Sequence, residues 1–259
     1  MEITNSDLVI LEKSKNVLEN PDFIMQVIDK LGQPIDSLMK RLPDNYRDLV
    51  GEAIQKALLA SLKVAMGTMD LNNKETSSFW HKIATTGLGA IGGVFGLPGF
   101  LVEFPISTTV MMRSILDIAN SCGEDLTKHE VQLECLLIFA LGGGNYQNNN
   151  ANCSNYFSKR FALASSVRLA AQYIAENTVI DESAPVIVRL IASIAEFFGV
   201  DVTIDAAASA VPIIGAIGGG TINYLFIDQF QKLAGAHFTI KKLERIYGVD
   251  YIYKKYNSI

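Results

Sequence analysis

Apolar residues recur at intervals of three and four along most of the chain, and no convincing stretch alternates apolar and polar residues. The first pattern is typical of amphipathic helices and the second of half-buried strands, so the sequence predicts an all-α fold. We expect a single domain of about 8–11 helices. The predicted helices cover residues 8–18, 21–32, 49–65, 105–121, 127–141, 156–177, 183–198 and 221–233, and a further one begins near 237. Thr127 and Glu130 have the spacing of a capping box at the start of the helix at 127–141.

Two long uncharged runs interrupt this pattern, at residues 83–102 and 206–227. The sequence Gly-Ala-Ile-Gly-Gly occurs in both, at 89–93 and again at 215–219. Small residues four apart let two helices approach closely, so we expect the two pseudo-repeated segments to pack at the centre of the fold. The glycines assigned to this packing are Gly89, Gly92, Gly93, Gly96, Gly215, Gly218 and Gly219.

Other interpretations of the glycine segments stay open. Runs of 20 and 22 uncharged residues are long enough to span a bilayer, but glycine and the prolines Pro98 and Pro212 disfavour an autonomous helix, so a membrane-inserting hairpin is one alternative. A phosphate-cradling loop is another, although no lysine follows the glycines as that motif requires.

Composition narrows the class of protein. The net charge of −5 argues against a nucleic-acid-binding surface over the whole molecule. The three cysteines show no metal-ligand spacing, so we expect a reducing, cytoplasmic compartment and no metal or other cofactor. The amino terminus lacks the pattern of a secretory signal.

Each glycine segment is followed by a carboxylate, Glu103 in the first case and Asp228 in the second. A pseudo-symmetric fold could bring the two together, and paired carboxylates can perform acid–base work. His237 is a third catalytic candidate, as a proton shuttle. The alternative for each residue is a structural role, in a helix cap, an ion pair or the packed core.

A second set of polar residues predicts ligand binding. Thr109, Arg113 and Asp117 are spaced four apart and share one face of a predicted helix. Arg113 could bind an anionic group while Asp117 holds it in place, or the two could form a structural ion pair. Asn223, in the second glycine segment, is a further ligand-binding candidate.

The carboxyl-terminal segment is basic and rich in tyrosine. From residue 229 onward it contains six lysines and arginines against two carboxylates, and residues 249–259 form a basic, tyrosine-bearing tail. This tail could be a solvated last helix. Alternatively, Lys241, Lys242, Lys254 and Lys255 could bind anionic lipid while the tyrosines lie at headgroup depth.

Two stretches resemble the EcsC family, named for a bacterial protein encoded beside an ABC transporter. The first includes Gly-Leu-Pro-Gly-Phe-Leu-Val-Glu-Phe-Pro at 96–105, and the second includes Pro-Ile-Ile-Gly-Ala-Ile-Gly-Gly-Gly-Thr-Ile-Asn at 212–223 and His-Phe-Thr-Ile-Lys-Lys-Leu-Glu-Arg at 237–245. Phe104 departs from the family pattern, which more often has leucine there. The resemblance implies an intracellular helical protein that acts near membranes, and it carries no biochemical activity.

We therefore expect a cytoplasmic protein at the periphery of a membrane, with membrane lipids or a membrane protein as its partner and no nucleic acid. The alternative is a hydrolase-like enzyme whose pocket contains Glu103, Asp228, His237 and Arg113. The expected layout is a helical extension at 1–43, an EcsC-like domain at 44–248 with an exposed asparagine-rich loop at 145–155, and the tail. The sequence does not indicate whether the chain forms a homo-oligomer.

Overall fold

The computed structural model describes residues 2–19, 45–67, 108–142, 155–177, 181, 183–196 and 219–259. Within these residues it contains eight helices and no strand, which confirms the predicted all-α class. The helices are α1 (Asn5–Glu19), α2 (Asn45–Gly67), α3 (108–121), α4 (His129–Leu141), α5 (Asn155–Glu176), α6 (Pro185–Glu196), α7 (Gly219–Tyr247) and α8 (Val249–Ser258).

Helix α4 lies at the centre of the described core. Every residue from 135 to 141 is buried, and the helix contacts α2, α5, α6 and α7. A helix that is apolar on all sides belongs in a protein interior, because no face is left for water. At its carboxyl end, Phe139 packs edge-on against Phe230 of α7, with ring centroids 5.3 Å apart.

Helix α7 connects this core to both ends of the chain. It packs against α1 on one side and α4 on another, and α8 folds back on it. Gly248, at φ +91°, makes the turn between α7 and α8, a backbone conformation that glycine adopts without strain. Tyr247 donates a hydrogen bond of 2.6 Å to Asp7, which fixes the start of α1 to the end of α7.

Two local predictions were wrong. The chain was expected to break between Leu233 and His237, but α7 is continuous there. Buried residues on both sides of Gly235 stabilise the helix across it, and this packing outweighs the cost of about 1 kcal/mol for a helical glycine. The capping box at Thr127 is also absent, because Thr127 bonds to Asp125 through its amide at 3.1 Å and its hydroxyl at 2.6 Å.

Several expectations concern residues that the structure does not describe. They include the helix at 21–32, the loop at 145–155 apart from Asn155, which begins α5, and the glycine segments at 83–102 and 206–227 apart from residues 219–227, which belong to α7. The central packing of those segments and the proposed domain layout therefore stay predictions.

Candidate functional site

A row of polar side chains on α7 enters the protein interior. His237, Lys241 and Glu244 are spaced four and three apart, which places them on one face of the helix. His237 is 1% exposed and Glu244 is 5% exposed. Buried polar groups are costly unless they are paired, so the partners of this row determine what the site can do.

Helix α5 supplies the partners, Tyr156 and Arg160, again four residues apart. The Arg160 guanidinium donates two hydrogen bonds to the Glu244 carboxylate, at 2.7 and 3.1 Å. Its Nη1 also donates to the Tyr156 hydroxyl at 3.2 Å, and that hydroxyl lies 3.0 Å from His237 Nδ1. The four side chains thus form one hydrogen-bonded chain between α5 and α7, in the order Glu244, Arg160, Tyr156 and His237.

The donor and acceptor roles in this series of hydrogen bonds assign the tautomer of His237. A guanidinium has only donors, so the Tyr156 oxygen accepts from Arg160 and its own hydrogen is donated to His237 Nδ1. The imidazole proton then resides on Nε2. This atom is buried and has no hydrogen-bond partner among the described residues. Burial, and then the charges of Arg160 and Lys241, hold the pKa of His237 well below its usual range. The ring is therefore neutral.

A second buried pair extends the cluster to α4. Lys241 Nζ donates to Glu134 Oε1 at 2.8 Å, and each of these side chains is 22% exposed. Glu134 Oε2 is buried and, like His237 Nε2, makes no hydrogen bond that the structure records for the described residues. We name these six residues, Glu134, Tyr156, Arg160, His237, Lys241 and Glu244, the polar cluster. It contains two compensating ion pairs and joins three helices.

Glu19, at the end of α1, binds the start of α5. Its carboxylate accepts hydrogen bonds from the amides of Asn155 at 3.1 Å and Tyr156 at 3.2 Å, and from the Tyr256 hydroxyl at 2.8 Å. Backbone amides at a helix amino terminus favour a negative charge, so the Glu19 carboxylate caps the start of α5. The contact joins α1, α5 and α8 at one point.

Lys159 lies beside this junction and is 3% exposed. Its ammonium donates to the Ala140 carbonyl at 3.4 Å, near the carboxyl end of α4. Burial lowers the pKa of Lys159 to about 8, an effect that the negative charge of Glu19 partly opposes. The lysine is thus mostly charged at neutral pH, where the end of a helix dipole favours a cation.

The structure does not bring together the predicted catalytic residues that it describes. Asp228 and His237 are nine residues apart on α7, which is two and a half turns and roughly 13 Å along the axis, so they lie on opposite faces. Asp228 pairs with Lys232 at 2.7 Å, and the two side chains are 38% and 56% exposed. Glu103 lies outside the described residues.

The predicted ligand-binding residues lie on α3, apart from Asn223, whose side chain is not described. Arg113 is half-buried and Asp117 is exposed, and the described contacts include no ion pair between the two. Gln231 of α7 donates to the Ser114 hydroxyl at 2.7 Å, which places α3 beside α7 one turn from Asp228. Thr109 is also half-buried on this helix.

Sequence reasoning missed most of the polar cluster. Of its six residues, only His237 was predicted as a site residue. The available signal was the presence of Tyr156, Lys159 and Arg160 in one turn at the start of an otherwise apolar helix. Ionisable residues within an apolar face require partners, but the sequence does not identify a partner 84 positions away, as Glu244 is from Arg160.

Membrane-spanning helices, metal sites and similarity to known proteins each bear on the class of this protein. Among the described residues, no helix is both long and apolar enough to cross a membrane. The same part of the chain holds no group of three or more histidine, cysteine, aspartate or glutamate residues arranged to bind a metal ion. The model of the EcsC protein family matches residues 9–243, whereas no curated protein and no solved structure matches the chain.

Proposed function

The chain belongs to the EcsC protein family, and we propose that it is a lipid- or partner-binding helical module that works at the periphery of a membrane. The side chains of the polar cluster are bound to one another and stabilise the fold. The proposal therefore assigns the function to the surface.

The observation that supports the proposal is the placement of large apolar side chains directly beside exposed cations. Arg168 precedes Leu169 on α5, and Arg189 follows Val188 on α6. Leu169 and Val188 are 41% and 51% exposed. Single exposed apolar residues are ordinary, but apolar groups interleaved with cations match the boundary between headgroups and acyl chains.

Arginine suits this boundary for a physical reason. Its aliphatic stem can lie along apolar surface while the guanidinium remains at the level of the lipid phosphates, to which it donates paired hydrogen bonds. A module of this kind needs no membrane-spanning helix. Its affinity depends on the apolar area buried and on the charge of the lipid.

Vesicle flotation of the full chain, purified without detergent, tests the proposal. We expect the protein to float with vesicles of phosphatidylcholine mixed with anionic phosphatidylglycerol and to be released by added salt. Salt release follows because exposed charges are screened beyond a Debye length of about 8 Å at physiological ionic strength. Protein that remains at the bottom of the gradient with every vesicle composition would contradict lipid binding and leave only a protein partner at the membrane.

A further inference from the structure

The outer faces of α5 and α6 belong to stretches whose charged residues are all basic. Residues 156–175 and 183–195 contain no aspartate or glutamate. Phe161, Leu169 and Val188 are each exposed by two fifths or more on these two helices. The helices pack against each other and are joined by the short segment 177–184, so their outer faces are neighbours.

Two arginines provide the charge of this surface. Arg168 and Arg189 are both exposed, and neither forms an ion pair with any carboxylate in the described part of the chain. Arg160, by contrast, lies on the same α5 but is turned inward to Glu244. Two described carboxylates lie where the helices are joined, and both are engaged locally, since Glu176 accepts from Gln172 and Asp181 accepts from Ser183.

The basic carboxyl-terminal segment is the competing surface, but two of its cations and two of its tyrosines are bound within the fold. Lys241 is bound to Glu134 and Arg245 to Glu124. The hydroxyls of its tyrosines are engaged on α1, since Tyr247 bonds to Asp7 and Tyr256 to Glu19. These tyrosines are therefore not placed to lie at headgroup depth.

The geometry points to the outer face of α5 and α6 as the surface that binds an anionic phospholipid bilayer. Arg168 and Arg189 contact lipid phosphates, and Leu169, Val188 and Phe161 enter the boundary with the acyl chains. The inference deepens the proposed function and rests on it. Charge complementarity selects the occupant, because two exposed arginines on stretches without aspartate or glutamate attract an anionic headgroup layer.

The test compares two double variants that remove the same charge from different surfaces. Arg168→Ala/Arg189→Ala removes the two cations of the α5 and α6 face, and Lys242→Ala/Lys254→Ala removes two exposed cations from α7 and α8. Binding to phosphatidylcholine–phosphatidylglycerol vesicles is measured by flotation over a lipid titration. All four positions are exposed, so both variants should keep the helical circular dichroism of the parent.

We expect the arginine variant to bind about thirty-fold more weakly, since each cation near an anionic surface contributes roughly a factor of five. The lysine variant should stay within about three-fold of the parent, because long-range attraction alone is screened. Arg168→Lys/Arg189→Lys, which keeps the charge, should restore most of the binding.

The outcomes separate the inference from the proposed function. A parent that binds vesicles while the arginine variant binds equally well overturns the inference alone, and a loss confined to the lysine variant assigns the contact to the carboxyl-terminal surface instead. A parent that binds no vesicle but binds an isolated membrane protein through Arg168 and Arg189 overturns the lipid assignment and leaves the partner-binding form of the proposed function. A parent that binds neither overturns both.

Discussion

Replacing Glu244 with leucine should destabilise the protein strongly, because the change leaves the Arg160 cation buried without its carboxylate. The two side chains are 4% and 15% exposed and share hydrogen bonds of 2.7 and 3.1 Å. Removing one partner of a buried ion pair typically costs about 3–5 kcal/mol. The rings of Tyr156 and Phe157, whose centroids lie 5.5 and 5.4 Å from Arg160 Cζ, offset part of that cost.

We therefore expect Glu244→Leu to lower the free energy of unfolding by about 3 kcal/mol, a large share of the 5–15 kcal/mol typical of a domain. Arg160→Met should lower the free energy of unfolding by a similar amount, because it leaves the Glu244 carboxylate buried without its cation. The double variant should be more stable than either single variant, since neither charge then remains buried. The coupling energy of the cycle should exceed about 2 kcal/mol.

Urea unfolding, followed by circular dichroism of the helices, measures these values. Lys232→Met is the matched control, because its pair with Asp228 has the same 2.7 Å separation but is exposed, and it should cost less than about 1 kcal/mol. Single variants at Arg160 and Glu244 that cost no more than this control would refute the reasoning. So would a double variant whose cost equals the sum of the two.

Two further predictions concern glycines and a histidine. Gly142→Ala should cost about 1–3 kcal/mol in the same assay, because the added Cβ would lie 2.8 Å from Phe230 Cζ in a packed core. Gly235→Ala, where a Cβ meets no atom within 4 Å, should instead stabilise α7 by up to about 1 kcal/mol, and the opposite order of the two variants would contradict the packing described. For His237, the folded pKa is depressed, so the unfolded chain binds the extra proton and stability should fall as the pH drops below about 6.5, by up to about 1.4 kcal/mol per pH unit. Unfolding measured between about pH 5 and 7 should show a shallower slope in His237→Phe, whereas an unchanged slope would show that His237 does not stay neutral in the fold.

Periodicity predicted the helices of this chain well, for a simple reason. Apolar residues three and four apart can face a common core only in a helix, and this holds for α1, α2 and α5 without knowledge of their neighbours. The same reasoning failed at Gly235, where the local cost of glycine is outweighed by buried residues on both sides. Thr127 matched a capping box, but the helix begins at His129 without a side-chain cap, and the Thr127 hydroxyl donates to Asp125 at 2.6 Å.

The polar cluster could not be predicted, because its contacts join residues distant in sequence. Glu244 lies in the charged sequence Lys-Lys-Leu-Glu-Arg at 241–245, which is typical of a solvated face, yet it is buried and bound to Arg160 of α5. The tyrosines of the carboxyl-terminal segment likewise fit a membrane boundary or a protein interior equally well. Only the contacts of Tyr256 with Glu19, and of Tyr247 with Asp7, distinguish the two for these side chains.

The surface assignment is tested most directly by hydrogen–deuterium exchange of the full chain with and without phosphatidylcholine–phosphatidylglycerol vesicles. A bilayer that covers α5 and α6 excludes water from their amides, so peptides spanning residues 160–175 and 185–195 should exchange more slowly when vesicles are present. Peptides from α8 should change little. Protection confined to residues 242–258, or no protection anywhere, would contradict the assignment.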